Sequence, residues 1–529
     1  MKKLLLSIVS LIFPFLTFAQ EATEKGLDER INELFKPVSD IWSGFIFTSV
    51  KLAEGVSMPI VIIWLLLAGL VFTIVFRFAN IRLFPVSVNI VRGKYDELDH
   101  HESMSMAGDP TPGGDILETI AIENHEGEVS HFQALTAALS GTVGLGNIAG
   151  VAIAISLGGP GATFWMIVAG LLGMSSKFVE CTLGVKYRDI GENGTVYGGP
   201  MYYLKKGLKD VGKGTLGKIL AIVFAVMCIG GSFGGGNMFQ ANQAAQQFNT
   251  MIGSNSTSAG VLFGVIMAIL VAIVIIGGIK RIGSITEKIV PFMVGIYFLA
   301  AIVIIVMNIG QIGSAFEQIF DGAFNAKGIT GGVLGVLIIG FQRAAFSNEA
   351  GVGSAAIAHS AVKTKYPASE GLVALLEPFI DTVVVCTMTA LVIIITNGDG
   401  SIMEYGVKAP DGVLATSKAF ASVLPWFPYV LTIAVVLFAF STMLSWSYYG
   451  LQSWMFLFGR SKASDYTFKI LFCLMIIVGS AASLGAVTDF SDAMIFAMAI
   501  PNIIGLYFLF PKVRDEVRRY IGAIKGGKS

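Results

Sequence analysis

The sequence predicts an all-α polytopic membrane protein with about eleven transmembrane helices. Of its 529 residues, 54% are hydrophobic and only 14% are charged, whereas soluble domains carry roughly 25% charged residues. Apolar segments near the roughly 20 residues needed to cross a bilayer recur along the whole chain. The 36 basic and 36 acidic residues balance to zero, so the composition gives no reason to expect nucleic-acid binding.

The N-terminus has the pattern of a secretory signal peptide. Two lysines precede an apolar run over 4–18, and the small residue Ala19 stands where a signal peptidase would cleave. We therefore predict a signal peptide over 1–19, with an uncleaved anchor as the alternative. The segment 20–55 mixes polar and apolar residues and is expected to be exterior or interfacial.

Segment length and loop charge together predict the topology. With the N-terminus outside, most Lys and Arg residues of the loops fall on the cytoplasmic side, as the positive-inside rule requires. The first transmembrane helix and a cytoplasmic loop occupy 56–130, and a cytoplasmic tail, 516–529, ends the chain. We expect a multi-pass protein of the cell's inner or plasma membrane. The predicted spans lie at about 57–77, 132–156, 161–186, 217–245, 259–279, 285–308, 332–359, 368–396, 427–457, 467–485 and 491–511.

Two spans are broken by glycine-rich polar stretches, SGTVGLGN at 140–147 and FSNEAGVG at 346–353. Unpaired amides and carbonyls inside a bilayer are tolerated only where they line a site or a cavity. Glycine also marks simple helix packing, but the polar Asn147 and Glu349 favour a site. Broken helices at corresponding positions of two halves indicate the substrate and ion site of a secondary transporter.

The spacing of the breaks predicts an inverted repeat of five plus five helices. The breaks fall in the second and seventh spans, so the two halves cross the membrane in opposite directions. We predict one repeat over 131–310 and the other over 311–515, preceded by one extra helix. Helix N-termini at a break suit a substrate carboxylate, and freed carbonyls suit a hard cation such as sodium.

Ionisable side chains within the spans are expensive to bury and usually functional. Arg343 and Asp381 lie at similar depth, so we predict a buried pair that either locks two helices or relays protons. Glu377 lies four residues before Asp381 and is expected on the same helix face. Glu180, one turn after Lys177, is expected to form a structural pair with it or to snorkel.

Other polar residues fall where they could complete the site. Gln240 lies late in the fourth span, and Ser441, Thr442, Ser445 and Trp446 interrupt the ninth. Hydroxyls in helices often bond only to their own backbone. Adjacent hydroxyls with a Trp one turn on nevertheless resemble a cation ligand set beside an aromatic gate.

Several motifs in matching order resemble the alanine or glycine:cation symporter family. The resemblance runs from about 57 to 511 and implies a variant of the leucine-transporter inverted-repeat fold with one extra helix in front. The motifs are Phe132-Gln-Ala-Leu, Thr142-Val-Gly-Leu-Gly-Asn-Ile-Ala-Gly-Val151, Gly198-Gly-Pro-Met-Tyr-Tyr203, Gly236-Asn-Met-Phe-Gln-Ala-Asn242 and Phe346-Ser-Asn-Glu-Ala-Gly351.

The resemblance implies a mid-membrane site for a small neutral amino acid and a coupling ion. The implied substrate-binding residues are Gly144, Leu145, Gly146, Asn147, Gln240, Phe346, Thr442 and Trp446. The implied sodium ligands are the carbonyls of Ser140 and Val143 and the hydroxyls of Ser441 and Thr442. Many family members carry Thr or Ser where this chain has Leu145, so the choice among alanine, glycine and a related solute stays open.

We therefore expect a sodium symporter that imports alanine or glycine by alternating access. A proton-coupled transporter of a related small solute is the alternative, and an ion channel is a further one. The chain lacks an HExxH motif, so we do not expect an enzyme. The expected partners are the amino acid, sodium or a proton, and the lipid bilayer, with no cofactor besides the coupling ion.

Overall fold

The computed structural model is almost entirely helical over the residues that it describes. The predicted signal peptide and the segment 99–126 of the predicted cytoplasmic loop lie outside those residues. The structure describes residues 27–53, 56–96, 98, 127–191, 194–253, 257–325, 331–407, 412–482 and 484–526.

The described part of the N-terminal half consists of helices and two short β-hairpins. The hairpins pair β1 Ser49–Ala53 with β2 Val56–Pro59, and β3 Asp189–Ile190 with β4 Val196–Tyr197, both antiparallel. π-helical turns at Gly146–Gly150 and Gly234–Met238 lead into the helices Val151–Gly158 and Phe239–Met251. The helices are α1 Leu27–Ile46, α2 Ile60–Val75, α3 Ala79–Arg82, α4 Phe84–Val91, α5 His131–Thr142, α6 Val151–Gly158, α7 Gly161–Lys186, α8 Pro200–Asp210, α9 Gly214–Phe233, α10 Phe239–Met251, α11 Thr257–Ile275 and α12 Gly278–Met307.

The C-terminal half continues in the same way. A 3₁₀ turn at Ile309–Gln311 precedes α13, and a π-helix at Phe379–Cys386 lies between α17 and α18. The helices are α13 Ile312–Phe324, α14 Gly332–Asn348, α15 Ala355–His359, α16 Pro367–Ala374, α17 Leu376–Pro378, α18 Thr387–Thr396, α19 Gly412–Ala421, α20 Phe427–Phe458, α21 Lys462–Ala481 and α22 Leu484–Gly526.

Many of these helices are long and apolar enough to cross a bilayer. Within the described ranges, seven continuous helical stretches meet this condition, and α5 with the helix 146–158 forms one more crossing that is bent by 51°. α2, α14 and the part of α11 over 259–275 are shorter apolar helices. The chain is therefore a multi-pass membrane protein.

α7 packs closely against the segment that follows α14. A Cβ on Gly173 would lie 2.7 Å from Ala350 Cβ, and a Cβ on Gly184 would lie 2.7 Å from the Ala356 carbonyl oxygen. Small residues let helix backbones approach closely inside a membrane. This packing brings the ionisable side chains of α7 next to the second break.

The backbone leaves helical geometry at two places that overlap the predicted stretches. α5 ends at Thr142, and helical geometry resumes at Gly146. α14 extends to Asn348, three residues into the predicted second break, and stops because Glu349 adopts a positive φ of 55°. A residue in the left-handed region cannot continue a right-handed helix. Residues 346–348 have no positive φ, so the helix continues through them.

Candidate functional site

At the first break, directly after α5, two backbone amides donate to side-chain oxygens instead of to backbone carbonyls of the helix. The Gly144 amide donates to Asn147 Oδ1 (2.9 Å), and the Leu145 amide donates to Gln240 Oε1 (3.2 Å). In a continued helix both amides would donate to carbonyls one turn earlier in α5. These four residues are buried, so the amides are satisfied inside the protein rather than by water.

Two carbonyls at the break lose their helical donors. The Gly144 amide, which would otherwise reach the Ser140 carbonyl, is occupied by Asn147. The Asn147 amide donates to the Gly144 carbonyl (3.2 Å) rather than to that of Val143. The carbonyls of Ser140 and Val143 thus do not receive the amides four residues on, and oxygen atoms in this condition suit a hard cation.

Thr442, on α20, faces the first break. A Cβ on Gly144 would lie 2.5 Å from Thr442 Oγ1. Thr442 is 1% exposed, and its Oγ1 has no hydrogen-bond partner among the described residues. Buried hydroxyls nearly always have a partner, so this oxygen marks a position for a ligand atom.

Two other predicted sodium ligands, Ser140 and Ser441, lie where α5 meets α20. Ser140 Oγ donates to the Ser441 carbonyl (2.6 Å), which ties α5 to α20. Ser441 Oγ donates to the Phe438 carbonyl of its own helix (3.0 Å). Such back-bonding leaves the helix intact, and α20 runs without a break from Phe427 to Phe458 through these polar residues.

The neutral oxygens of these residues fit a sodium ion. Ser441 Oγ keeps a lone pair while it donates to its own helix, and Thr442 Oγ1 is unpartnered. With the carbonyls of Ser140 and Val143, they supply donors of the type that hard cations prefer. The arrangement can therefore hold the cation beside the first break.

Trp446, one turn after Thr442, closes one side of the site. Its Nε1 donates to Glu349 Oε1 (3.0 Å), and its ring lies so close to the Gly236 backbone that any Cβ there would overlap it. Phe346, 5% exposed, packs edge-on against Phe239 with ring centroids 5.3 Å apart. Both aromatic side chains are therefore buried beside the breaks.

Glu349 is a site residue to which sequence reasoning gave no role of its own. Its carboxylate accepts from Trp446 and, on the other oxygen, from the Ser354 hydroxyl. It is 3% exposed. The available signal was a carboxylate placed within a glycine-rich break, where a buried charge needs specific partners.

Asp381 joins the two breaks. Its Oδ1 accepts from Asn147 Nδ2 (2.6 Å), and its Oδ2 accepts from Ser347 Oγ (2.9 Å) and from Thr382 Oγ1 (2.7 Å). Asn147 follows the first break, and Ser347 ends the helix before the second. A single buried carboxylate therefore fixes the distance between the two broken helices.

The predicted pair of Arg343 with Asp381 is wrong. Arg343 forms a salt bridge with Asp492 of α22, while Asp381 accepts only neutral donors in the described structure. Similar depth places two residues at the same level but does not fix their rotation about the helix axes. Asp381 lies in a π-helix, whose wider turn changes the direction of its side chain.

The π-helix also separates Glu377 from Asp381. It begins at Phe379, so the two acids meet different partners although they are four residues apart. Glu377 Oε2 accepts from Lys177 Nζ (3.2 Å). Lys177 therefore pairs with Glu377 of another helix and not, as predicted, with Glu180 of its own.

Glu180 instead meets the last helix. Its Oε2 accepts from Asn502 Nδ2 (3.0 Å), and Asn502 also donates to the Gly351 carbonyl (2.9 Å). These bonds connect α7, α22 and the second break. Glu180 is fully buried, which excludes the predicted alternative of snorkelling.

Three side chains near Lys177 could surround a metal ion. Ligand atoms of Cys181, His359 and Glu377 lie within 4.8 Å of one another. Both ring nitrogens of His359 are already bonded to carboxylates, at 2.5 Å each. The Lys177 ammonium also donates to Glu377. These side chains are therefore better described as a hydrogen-bonded ionic cluster than as a metal site.

Comparisons with known proteins identify the family of this chain. The model of the sodium:alanine symporter family matches residues 115–529. The sodium/alanine symporter AgcS of Methanococcus maripaludis is 45% identical over 399 residues, 75% of this chain and 85% of the relative. The probable sodium/glutamine symporter GlnT of Bacillus subtilis is 33% identical over 416 residues, 78% of this chain and 83% of the relative.

A solved structure supports the fold. The crystal structure of MhsT in complex with L-phenylalanine matches with a TM-score of 0.50 and 15% identity, covering 73% of this chain and 99% of that one. At this identity the likeness concerns the fold alone. Since the family model covers most of the chain and the AgcS relative exceeds 30% identity, this multi-pass membrane protein belongs to the sodium:alanine symporter family.

Proposed function

We propose that the protein imports a small neutral amino acid, alanine or glycine, driven by an inward sodium gradient. The observation that carries this proposal is the buried, unpartnered Thr442 hydroxyl beside the first break. Membership of the sodium:alanine symporter family supports both the ion and the class of substrate. The names of the AgcS and GlnT relatives differ in their amino acid, so the substrate has to be tested directly.

The substrate carboxylate binds at the amides of the first break in this proposal. The Leu145 amide donates to Gln240 Oε1 at 3.2 Å. A stronger acceptor can form a shorter hydrogen bond with this amide. A carboxylate accepts stronger hydrogen bonds than a neutral amide oxygen, so it can replace Gln240 there. The amides of Gly144 and Gly146 and the side chain of Asn147 complete this end of the site.

The aromatic side chains limit the substrate's size. Phe346 and Trp446 are both nearly fully buried, and the Leu145 side chain is also buried. Because each additional methylene needs space and repacking, the pocket favours alanine or glycine over larger residues. Thr442 stands between ion and substrate and contacts both.

Transport follows an alternating-access cycle in this proposal. The breaks at 143–145 and 349–354 are the points where half-helices can change angle without losing buried hydrogen bonds along their length. Five plus five inverted helices, about eleven spans with the N-terminus outside and the C-terminus cytoplasmic, complete the architecture. The cell's inner or plasma membrane is the expected location.

Uptake into proteoliposomes tests the function. Radiolabelled alanine and glycine are supplied with sodium outside and potassium inside, and parallel vesicles carry potassium on both sides. The proposal predicts accumulation with sodium only, and competition by unlabelled alanine or glycine but not by large amino acids. Equal uptake in potassium at balanced pH would exclude sodium coupling and favour the proton-coupled alternative.

A further inference from the structure

Five ionisable side chains form a continuous chain beside the second break. Glu377 accepts from Lys177 Nζ on one oxygen, and its other oxygen lies 2.5 Å from His359 Nε2. His359 Nδ1 lies 2.5 Å from one oxygen of Glu370, and the second Glu370 oxygen bonds His131 Nδ1. Each link is of hydrogen-bond length, so neighbouring groups can exchange a proton directly.

The chain has one buried end and one end near the surface. The side chains of Lys177, Glu377, His359 and Glu370 are 0% exposed. The side chain of His131 is 12% exposed. Protons can therefore enter or leave this chain at His131.

The surrounding cluster carries more acid than base. Among the described residues, the other titratable groups that interact electrostatically with this cluster are Glu180, Cys181, Tyr203, Glu349, Asp381 and Tyr449. Five carboxyl groups thus share the cluster with one lysine and two histidines. Even with both histidines protonated, the carboxylates would outnumber the cations by two, and uncompensated buried charge is removed by protonation. The cluster therefore holds bound protons.

The ends of the cluster touch the parts of the site that the proposed cycle moves. His131 is the first residue of α5, whose last turn carries the predicted sodium ligand Ser140. Glu349, which interacts electrostatically with Lys177, holds the Trp446 indole. A movement of α5 about the first break would separate His131 from Glu370 and change the number of protons that the chain can hold.

We propose that the chain from His131 to Lys177 is a proton-binding site coupled to sodium and amino-acid binding. This inference rests on the proposed function, because the coupling is defined by those two ligands. A proton from water binds the His131 ring, and the ring passes its Nδ1 proton to Glu370. After its carboxyl group rotates, Glu370 passes this proton to His359 Nδ1, and His359 releases its Nε2 proton to Glu377. Each step transfers one proton between two hydrogen-bonded atoms and leaves each imidazole as its other tautomer, so the chain takes up one proton before its groups have to reorient.

The direction of the coupling follows from the contacts. The described arrangement keeps His131 against Glu370 and buries Trp446 and Phe346. If ligands stabilise this closed arrangement, they also stabilise the protonated chain, since a carboxylate partner favours a charged histidine. Binding of sodium and alanine should therefore take up protons.

Titration calorimetry on the purified full-length protein tests this proposal. Alanine is injected in saturating sodium at one pH in two buffers, phosphate and Tris, whose heats of ionisation differ. We expect different heats that correspond to the uptake of up to one proton. Full coupling would change the apparent alanine affinity about tenfold per pH unit. Equal heats, or proton release, would overturn the proposal.

Variants locate the protons within the chain. His359→Gln and Glu370→Gln should retain alanine binding but lose the buffer dependence. Glu516→Gln is the matched control, because it removes the charge of the carboxylate that pairs with Lys186 at a partly exposed place elsewhere and should leave the buffer dependence unchanged. His131→Gln, at the exposed end, serves if the buried variants fail to fold.

The outcomes separate the two proposals. Buffer dependence that persists in His359→Gln, Glu370→Gln and His131→Gln would overturn the proton site while alanine binding stands. An absence of any sodium-dependent binding heat for alanine and glycine in the wild type would instead overturn the proposed function, and the proton site with it.

Discussion

Asn147, just after the first break, and Ser347, just before the second, donate to different oxygens of the Asp381 carboxylate at 2.6 and 2.9 Å. The carboxylate is buried and also accepts from Thr382 at 2.7 Å. Hydrogen bonds to a charged acceptor are stronger than those between neutral groups. Asp381 therefore holds the two broken helices in register.

Replacing Asp381 by Asn should impair both stability and uptake. An amide has one accepting oxygen, so its NH₂ group would face either Asn147 or Ser347, each a donor in the native arrangement. Leaving buried groups unsatisfied costs about 1–3 kcal/mol each. We expect a lower thermal unfolding midpoint and at least tenfold slower sodium-driven alanine uptake. Asp399→Asn, in an exposed loop, is the control, and wild-type uptake by Asp381→Asn would contradict the assignment.

The salt bridge of Arg343 with Asp492 should be structural. Replacing Arg343 by Met leaves a buried uncompensated carboxylate, and breaking such pairs costs about 3–5 kcal/mol. The double variant Arg343→Met/Asp492→Asn removes both charges and should recover much of that loss in a thermal unfolding assay. A double variant that is no more stable than Arg343→Met would show that the two charges do not interact.

Gly236 should tolerate no side chain. A Cβ at this position would overlap the Trp446 ring, whereas a Cβ on Gly295 of α12 meets nothing within 4 Å. Gly236→Ala is therefore expected to lower the unfolding midpoint and abolish uptake by displacing Trp446. Gly295→Ala should leave uptake unchanged and can stabilise its helix by roughly 0.5–1 kcal/mol. Equal behaviour of the two variants in both assays would contradict the close contact.

Glu128, which precedes α5, should make stability depend on pH. Burial raises the pKa of Glu128, against the hydrogen bond from the Val196 amide (2.7 Å) and the charge of Lys280. A raised carboxyl pKa means that folding favours the protonated form. The stability from this group is thus present at acidic pH and is lost as the pH rises through the folded-state pKa.

The variant Glu128→Gln tests whether the stability contribution of Glu128 falls as the pH rises. The glutamine oxygen can still accept from the Val196 amide without carrying a charge. We expect an unfolding midpoint above that of the wild type at pH 8, with the difference shrinking at pH 5. A variant that is less stable than the wild type at pH 8 would reverse the conclusion.

The sequence predicted the class of protein and the family because both depend on local patterns. Apolar length identifies spans whatever their packing, and the motif around 142–151 lies within the residues that the family model matches. The glycine-rich stretches also indicated where the helices break, although α14 continues to Asn348 before the positive φ of Glu349 ends it. The predicted substrate and sodium residues remain proposals, supported by the unpartnered Thr442 hydroxyl.

The side-chain partners could not be predicted in the same way. Asp381 turns toward Asn147 because it lies in a π-helix, which hydrophobic periodicity does not reveal. Lys177 reaches Glu377 rather than Glu180, its neighbour along the helix, since the packing of α7 on α17 decides which carboxylate is nearer. Arg343 has a partner about 150 residues away, and no spacing rule connects them.

The sodium dependence of alanine uptake in Thr442 variants tests the central claim most directly. Initial rates are measured in proteoliposomes over a range of sodium concentrations for Thr442→Val, Thr442→Ser and Ser447→Ala. Ser447 is the matched control, since its hydroxyl only bonds to the Leu444 carbonyl of the same helix (2.6 Å). We predict that Thr442→Val raises the sodium concentration for half-maximal uptake at least tenfold, while Thr442→Ser and Ser447→Ala stay close to wild type. An unchanged sodium requirement in Thr442→Val would contradict the account.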